Sequence, residues 1–221
     1  MMKTGLLNGR YRIEKEGKSY VVTVRNSSFE TVSFYGAGTH EIPVPQNVSG
    51  VVVALIGAGG GAGYGHTHKP DIFNTYYGSP GTGGSGAKVV ARIGKEVLPD
   101  TLSLTVGTGG AARLKGGDTV VSFSGLSLSA GGGGGGLDGQ GDGGSSGAGG
   151  TAGFTIISEN GNILTIVSEN GANGAAGFYP NGSNKAGPKT HKLNGEYYGS
   201  GGSANAGAGQ DGAAVIIFYK E

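Results

Sequence analysis

Glycine limits what this chain can build, through its placement as much as its frequency. Of 221 residues, 51 are glycine; six of them fall in residues 1–50 and 45 in the remainder. They gather in tracts at about 57–86, 107–117, 130–153, 171–187 and 199–212, the densest being the unbroken run Gly131 to Gly136. Glycine loses more backbone freedom on ordering than any other residue and brings no side chain to bury. Tracts of this length therefore need a source of stability other than a hydrophobic core. Collagen would be one, but it requires glycine at every third position, and both the six-residue run and ISENGN break that frame. Disordered chains are rich in charge and poor in β-branched residues. Here the charged fraction is 14%, and a run such as AAVIIFY is core material.

Between the tracts stand VVVALI, AKVVARI, LSLTV, TVVSF, LSLSA, FTIIS, ILTIV and AAVIIFY. With no helical period anywhere, these runs predict an all-β, jelly-roll-like sandwich. The tracts then become long insertions, and structureless loops of such length do not suit a compact domain. Polyglycine II resolves the conflict: three residues per turn, no internal hydrogen bonds, and N–H and C=O groups pointing outward in three directions. Without Cβ atoms, neighbouring tracts can approach closely enough to satisfy one another's backbone groups. Several tracts returning to one sandwich are expected to form a bundle.

The junction VVVALIGAGGGAG contains Gly57-x-Gly59-x-x-Ala62, close to the fingerprint of a dinucleotide-binding strand. That site needs a helix N-terminus to receive the pyrophosphate. The following GYGHTHKPDIFNTYYGSPGTGGSG has glycines and two prolines instead of helix formers, and Asp71 comes too early to hold a ribose. Nor is there a Lys or Ser in Gly57–Gly63 to make a phosphate loop. No nucleotide or other cofactor is expected.

Cysteine is absent, which removes disulfides and thiolate metal sites. MMKTGLLNGR lacks the apolar run of a signal peptide and no segment reads as a membrane span, so the expectation is a protein made and released in a cytosol, without membrane insertion. The sequons at Asn26, Asn47 and Asn181 then carry no glycans. A net charge of +1 argues against nucleic acid as partner. Residues 1–25 nevertheless hold six basic against two acidic side chains, and YRIEK and SYVVTVR around Glu16-Gly17-Lys18 read as a hairpin. Farther on, ETVSFYGAGTHEIPVPQNVSG reads as a strand, a proline-marked turn and the entry to the Val51 strand. The echo Ile157-Ser158-Glu159-Asn160-Gly161 and Val167-Ser168-Glu169-Asn170-Gly171 places Asn160-Gly161 as a hairpin turn between FTIIS and ILTIV.

The run FETVSFYGAGTHEIPVPQNVSGVVVALIGAGGG, continued by GSGAKVVARI, LSLTVGTGG, LSLSAGGGGGG and DGAAVIIFYK, resembles the glycine-rich domain of bacteriophage tail fibre and tail tip proteins over residues 29–221. A glycine-rich insertion in the jelly roll of anaplastic-lymphoma-type receptor kinases is similar. The resemblance implies a virion component at the distal end of a tail, displaying loop tips to a bacterial surface receptor, protein or glycan. Residues 1–28 lie outside it and become the candidate attachment segment to other tail proteins. The competing expectation is a purely structural virion part, a decoration or connector without receptor contact. A homo-oligomer, with a trimer as the guess, is compatible with either.

Catalytic candidates are few, with no Ser/His/Asp arrangement on a nucleophile elbow. Asp138 and Asp142 in a glycine tract read as turn chemistry and not as the paired carboxylates of a glycosidase. The expectation is a binding protein and not an enzyme. His66 and His68, at alternate positions, could face one way from an extended chain and meet a metal around a threefold axis, or stand as exposed polar residues on a loop. The aromatics outside the strands are more informative: Tyr64, Phe73, Tyr76 and Tyr77 in the first insertion, Phe178, Tyr179, Tyr197 and Tyr198 in the last ones. Aromatic rings on loops give rigid contact area with few rotors to freeze. They are the candidate receptor-binding residues, or else the apolar cover over the ends of the glycine bundle.

Overall fold

The computed structural model describes residues 11–16, 19–24, 29–123, 126–139, 152–155, 163–179, 182–193 and 195–220. Runs that alternate apolar and polar residues become strands that bury one side. Seven of them form an antiparallel sheet: β1 (Tyr11–Glu16), β2 (Ser19–Val24), β3 (Phe29–Tyr35), β5 (Gly50–Ile56), β8 (Lys88–Gly94), β13 (Ile163–Glu169) and β16 (Ala213–Tyr219). Their order in space is β1-β2-β3-β16-β5-β8-β13. A second sheet, in the order β12-β11-β10-β9-β4, holds β4 (Gly38–Pro43), β9 (Thr101–Val106), β10 (Thr119–Phe123), β11 (Leu126–Ala130) and β12 (Ala152–Thr155). Two hairpins complete the described strands, β6 (His66–His68) with β7 (Tyr76–Gly78) and β14 (His191–Leu193) with β15 (Glu196–Tyr198).

The sheets face each other across one apolar core. Val51, Val53, Leu55, Val89, Ile93, Ile216 and Phe218 of the larger sheet pack with Leu102, Leu104, Val121, Phe123 and Leu128 of the smaller. The strand β16 lies between β3 and β5, where Ile216 is opposite Ser33 on one side and Val53 on the other. On the outer face of the larger sheet, Phe34, Ala213 and Val215 form a smaller cluster under Leu193 and Tyr198 of the β14–β15 hairpin.

The expected N-terminal hairpin forms, with Tyr11 opposite Val24 and Glu16 opposite Ser19, and it joins β3 in the larger sheet. The strands described on either side of the hairpin expected around Asn160-Gly161 belong to different sheets. β12 pairs with β11 in one sheet and β13 with β8 in the other, so the connection crosses between sheets; the turn itself lies outside the described residues. Periodicity reports which faces are buried, not which strand is the neighbour.

The glycine tracts bond sideways with a period of three. From the buried segment 57–63, the N–H groups of Gly57, Gly60 and Gly63 reach the carbonyls of Ala87, Gly84 and Gly81 at 2.9, 2.9 and 3.1 Å. Those of Ala58 and Gly61 reach Gly117 and Leu114, and those of Gly59 and Ala62 reach Gln210 and Gly207. Each of these three neighbours runs antiparallel. In the other direction, Ala58, Gly61 and Tyr64 carbonyls accept from Gly133, Gly136 and Gly139; Gly59 and Ala62 accept from Gly110 and Arg113; Gly60 and Gly63 accept from Gly202 and Ala206. One segment is thus ringed by six others, joined through main-chain groups. The absence of Cβ permits it: a Cβ on Gly59 would lie 1.9 Å from the Ser200 oxygen, and one on Gly61 1.9 Å from the Ala111 oxygen.

Where a tract lies at the margin, hydroxyls replace missing backbone partners. Ser79, Thr82 and Ser85 recur every three residues and are buried. Their N–H groups donate to the carbonyls of Phe178, Ala175 and Ala172, while their hydroxyls accept the N–H groups of the same three residues at 2.8, 2.6 and 2.8 Å.

Candidate functional site: the loop end of the glycine tracts

Following the lateral bonds outward from the sheets brings distant loops to one end. The Gly139 N–H bonds the Tyr64 carbonyl, Ser79 meets Phe178, and the Gly182 N–H reaches the Tyr77 carbonyl at 3.1 Å. Tyr64, Phe73, Tyr76, Tyr77, Phe178 and Tyr179 all belong to this end. Tyr197 and Tyr198 do not. They sit on β15, where the Tyr198 ring packs 5.3 Å from Phe34 on the larger sheet and Lys192 lies over the Tyr197 ring. The eight aromatics therefore form two groups, six at this end and two on β15.

At the loop end a clip fastens three tracts. Arg113 donates from Nε and Nη2 to the two carboxylate oxygens of Asp138 at 2.8 and 2.6 Å, and its guanidinium lies 4.6 Å from the centre of the Tyr64 ring. The Tyr64 N–H donates to the same carboxylate at 2.9 Å. Burial works against the Asp138 charge, but the Tyr64 N–H and the Arg113 guanidinium outweigh it and hold the carboxyl below the usual carboxylate range. Asp138 is thus a tract-to-tract tie and not the local turn residue its sequence neighbourhood suggests. Bidentate geometry and ring stacking are properties of arginine that lysine would not supply.

The β6–β7 hairpin projects from this end. Tyr77 lies over Gly65, where a Cβ would come within 2.2 Å of its oxygen, and donates its O–H to Asn184 at 2.8 Å. The Tyr76 and Tyr179 rings are 6.2 Å apart. These contacts brace the hairpin while leaving Phe73 and Phe178 exposed. His66 and His68 share one side of β6 and are exposed; among the described residues no group of three or more His, Cys, Asp or Glu could hold a metal.

Several residues at this end escape a reading based on aromatics. Ile72 is the most exposed of the large apolar side chains described, and Leu114 and Leu137 are exposed beside the clip. For Ile72 a signal existed, since Pro70-Asp71 marks a turn. For the Arg113–Asp138 pair, 25 residues apart, none did. The Ser79-x-x-Thr82-x-x-Ser85 spacing is a legible signal of the three-residue period.

Residues 34–215 match the profile described as a glycine-rich domain. The chain belongs to the glycine-rich domain family. No curated protein matches it. The matched span of this glycine-rich domain contains the smaller sheet and every tract, and it leaves β1 and β2 outside. Among the described residues no helix is long and apolar enough to cross a membrane.

Proposed function

We propose that this glycine-rich domain is a phage tail-tip or tail-fibre protein that binds a bacterial surface through its loop end, by contact and not by catalysis. The tracts are polyglycine II helices in a bundle carried by a jelly-roll-like sandwich. The three-residue period of the lateral bonds supports this, as do the tract glycines, of which, among the described residues, only Gly199 has a positive φ. At ~3.1 Å per residue, segment 57–63 would hold the loop end roughly 20 Å beyond the sheets.

The observation that carries the functional reading is the concentration of exposed Tyr64, Ile72, Phe73, Leu114, Leu137 and Phe178 at one end of a backbone-bonded support. Exposed apolar side chains gathered in one place mark interaction sites, and aromatic anchors dominate many interfaces. The β1–β2 hairpin, outside the matched span and at the far edge of the larger sheet, is the attachment segment to other tail proteins.

Immunogold labelling of phage particles with antibody against the chain tests this placement. Label at the distal tail end is expected. Label on the capsid or along the tail tube would favour the connector reading, and absence from particles would overturn both. In the same phage, Tyr76→Ala with Tyr77→Ala, which removes the rings that brace the β6–β7 hairpin, is expected to leave assembled particles while cutting adsorption at least tenfold.

A further inference from the structure

The loop joining β6 to β7 exposes two consecutive large apolar side chains in a way the fold does not require. Ile72 is 91% exposed and Phe73 87%, with charged or polar neighbours on both sides. Neither covers the glycine tracts. Such exposure gives nothing to folding, and it persists because the turn beneath is held in place. Asp71 Oδ1 accepts the N–H groups of Phe73 and Asn74 at 2.8 and 2.7 Å, and Oδ2 accepts the Asn74 side-chain amide at 2.7 Å. Those bonds, the Asn74 side chain first, lower the Asp71 pKa and keep the carboxylate ionised. Pro70 fixes the approach, and Tyr77 and Asn184 brace the stem below.

Building on the receptor-binding reading, we infer that the Asp71–Asn74 turn is the principal anchor of the loop end, with Ile72 and Phe73 seated together in an apolar hollow of a cell-surface protein. Three features select that partner. Ile72 offers a sugar neither a hydrogen bond nor a flat ring, and Phe73 beside it supplies a ring but no hydrogen-bonding group. Both Asp71 oxygens accept hydrogen bonds inside the turn, which leaves that carboxylate with less capacity for glycan hydroxyls. Lys69 and Asp71 cancel, leaving no basic cluster to draw the apex to anionic lipid. What remains is a convex, preorganised apolar knob, and a knob of that kind loses little freedom on binding a matching hollow.

The test uses the full chain, fluorescently labelled, on a panel of bacterial strains spanning both envelope types, beside the double variant I72S/F73S. With both side chains exposed, the variant should unfold at the same temperature as the parent. On every strain that the parent binds, the variant should bind at least tenfold more weakly; protease treatment of the cells should abolish parental binding and periodate oxidation of their glycans should spare it. Unchanged binding by the variant would overturn the anchor and leave the receptor-binding reading standing. Loss of binding after periodate, or equal binding to bare phosphatidylethanolamine–phosphatidylglycerol vesicles, would overturn the protein hollow. A parent that binds no strain would overturn the receptor-binding reading and this inference with it.

Discussion

Gly60 shows what one missing carbon permits. Its N–H donates to Gly84, its carbonyl accepts from Gly202, and a Cβ placed on it would lie 2.1 Å from the Gly134 oxygen. That neighbour is backbone, fixed by its own bond from Gly84, and cannot swing aside. Gly195 is the opposite case: φ is +86° but nothing lies within 4 Å of its absent Cβ. Gly60→Ala is therefore expected to cost about 3 kcal/mol or more, as severe overpacking does. Gly195→Ala should cost only the left-handed backbone penalty of about 1–2 kcal/mol. Urea unfolding of the two variants measures the difference; similar costs would mean that the tracts yield to accommodate side chains. Glycine here serves close approach far more often than positive φ, a distinction composition cannot draw.

Among the elements, the β14–β15 hairpin carries a buried titratable group, His191. His191 is buried, its Nε2 has no hydrogen-bond partner, and its Nδ1 lies 3.5 Å from exposed Glu169. Burial, foremost, pushes its pKa down; Glu169 opposes, Lys88 adds to the depression, and the Gly86 backbone opposes. An unfolded histidine titrates near ~6.5, so between that value and the lower folded one the unfolded chain binds more protons. Stability is then complete above about pH 6.5 and declines as pH falls through the folded pKa. His191→Leu is expected to flatten the fall in thermal midpoint between pH 7 and 5, and an undiminished slope would assign that acid sensitivity to other groups. The sequence showed this hairpin's tyrosines but not its docking. Tyr198 is turned toward Phe34, 164 residues away in the chain, by a contact that no local pattern encodes.

For the molecule as a whole, two kinds of order meet at the strand ends: side-chain packing between sheets and main-chain bonding between tracts. If the second is as cooperative as the first, the amides of Gly133 and Gly136, bonded to Ala58 and Gly61, should resist hydrogen exchange as strongly as those of β16. Exchange at random-coil rates would show that the tracts open independently of the sandwich. Such protection would also account for a loop end held rigidly at a distance without a hydrophobic core beneath it.

The sequence alone makes the chain all-β, because a period of two and the absence of a helical period are local properties that survive any arrangement of neighbours. It also excluded a dinucleotide site at Gly57, since the helix that site requires cannot start in a run of glycine and proline. It located the N-terminal hairpin, whose turn and strands are contiguous. Tertiary structure alone decided which tract bonds to which, why β16 lies between β3 and β5, and that six of the eight aromatics share an end with Arg113, Asp138 and Ile72. The physical reason is common to all three. Glycine backbones carry identical donors and acceptors, so nothing in a tract names its partner, and only the loops and sheets that return each tract to its place fix the pairing.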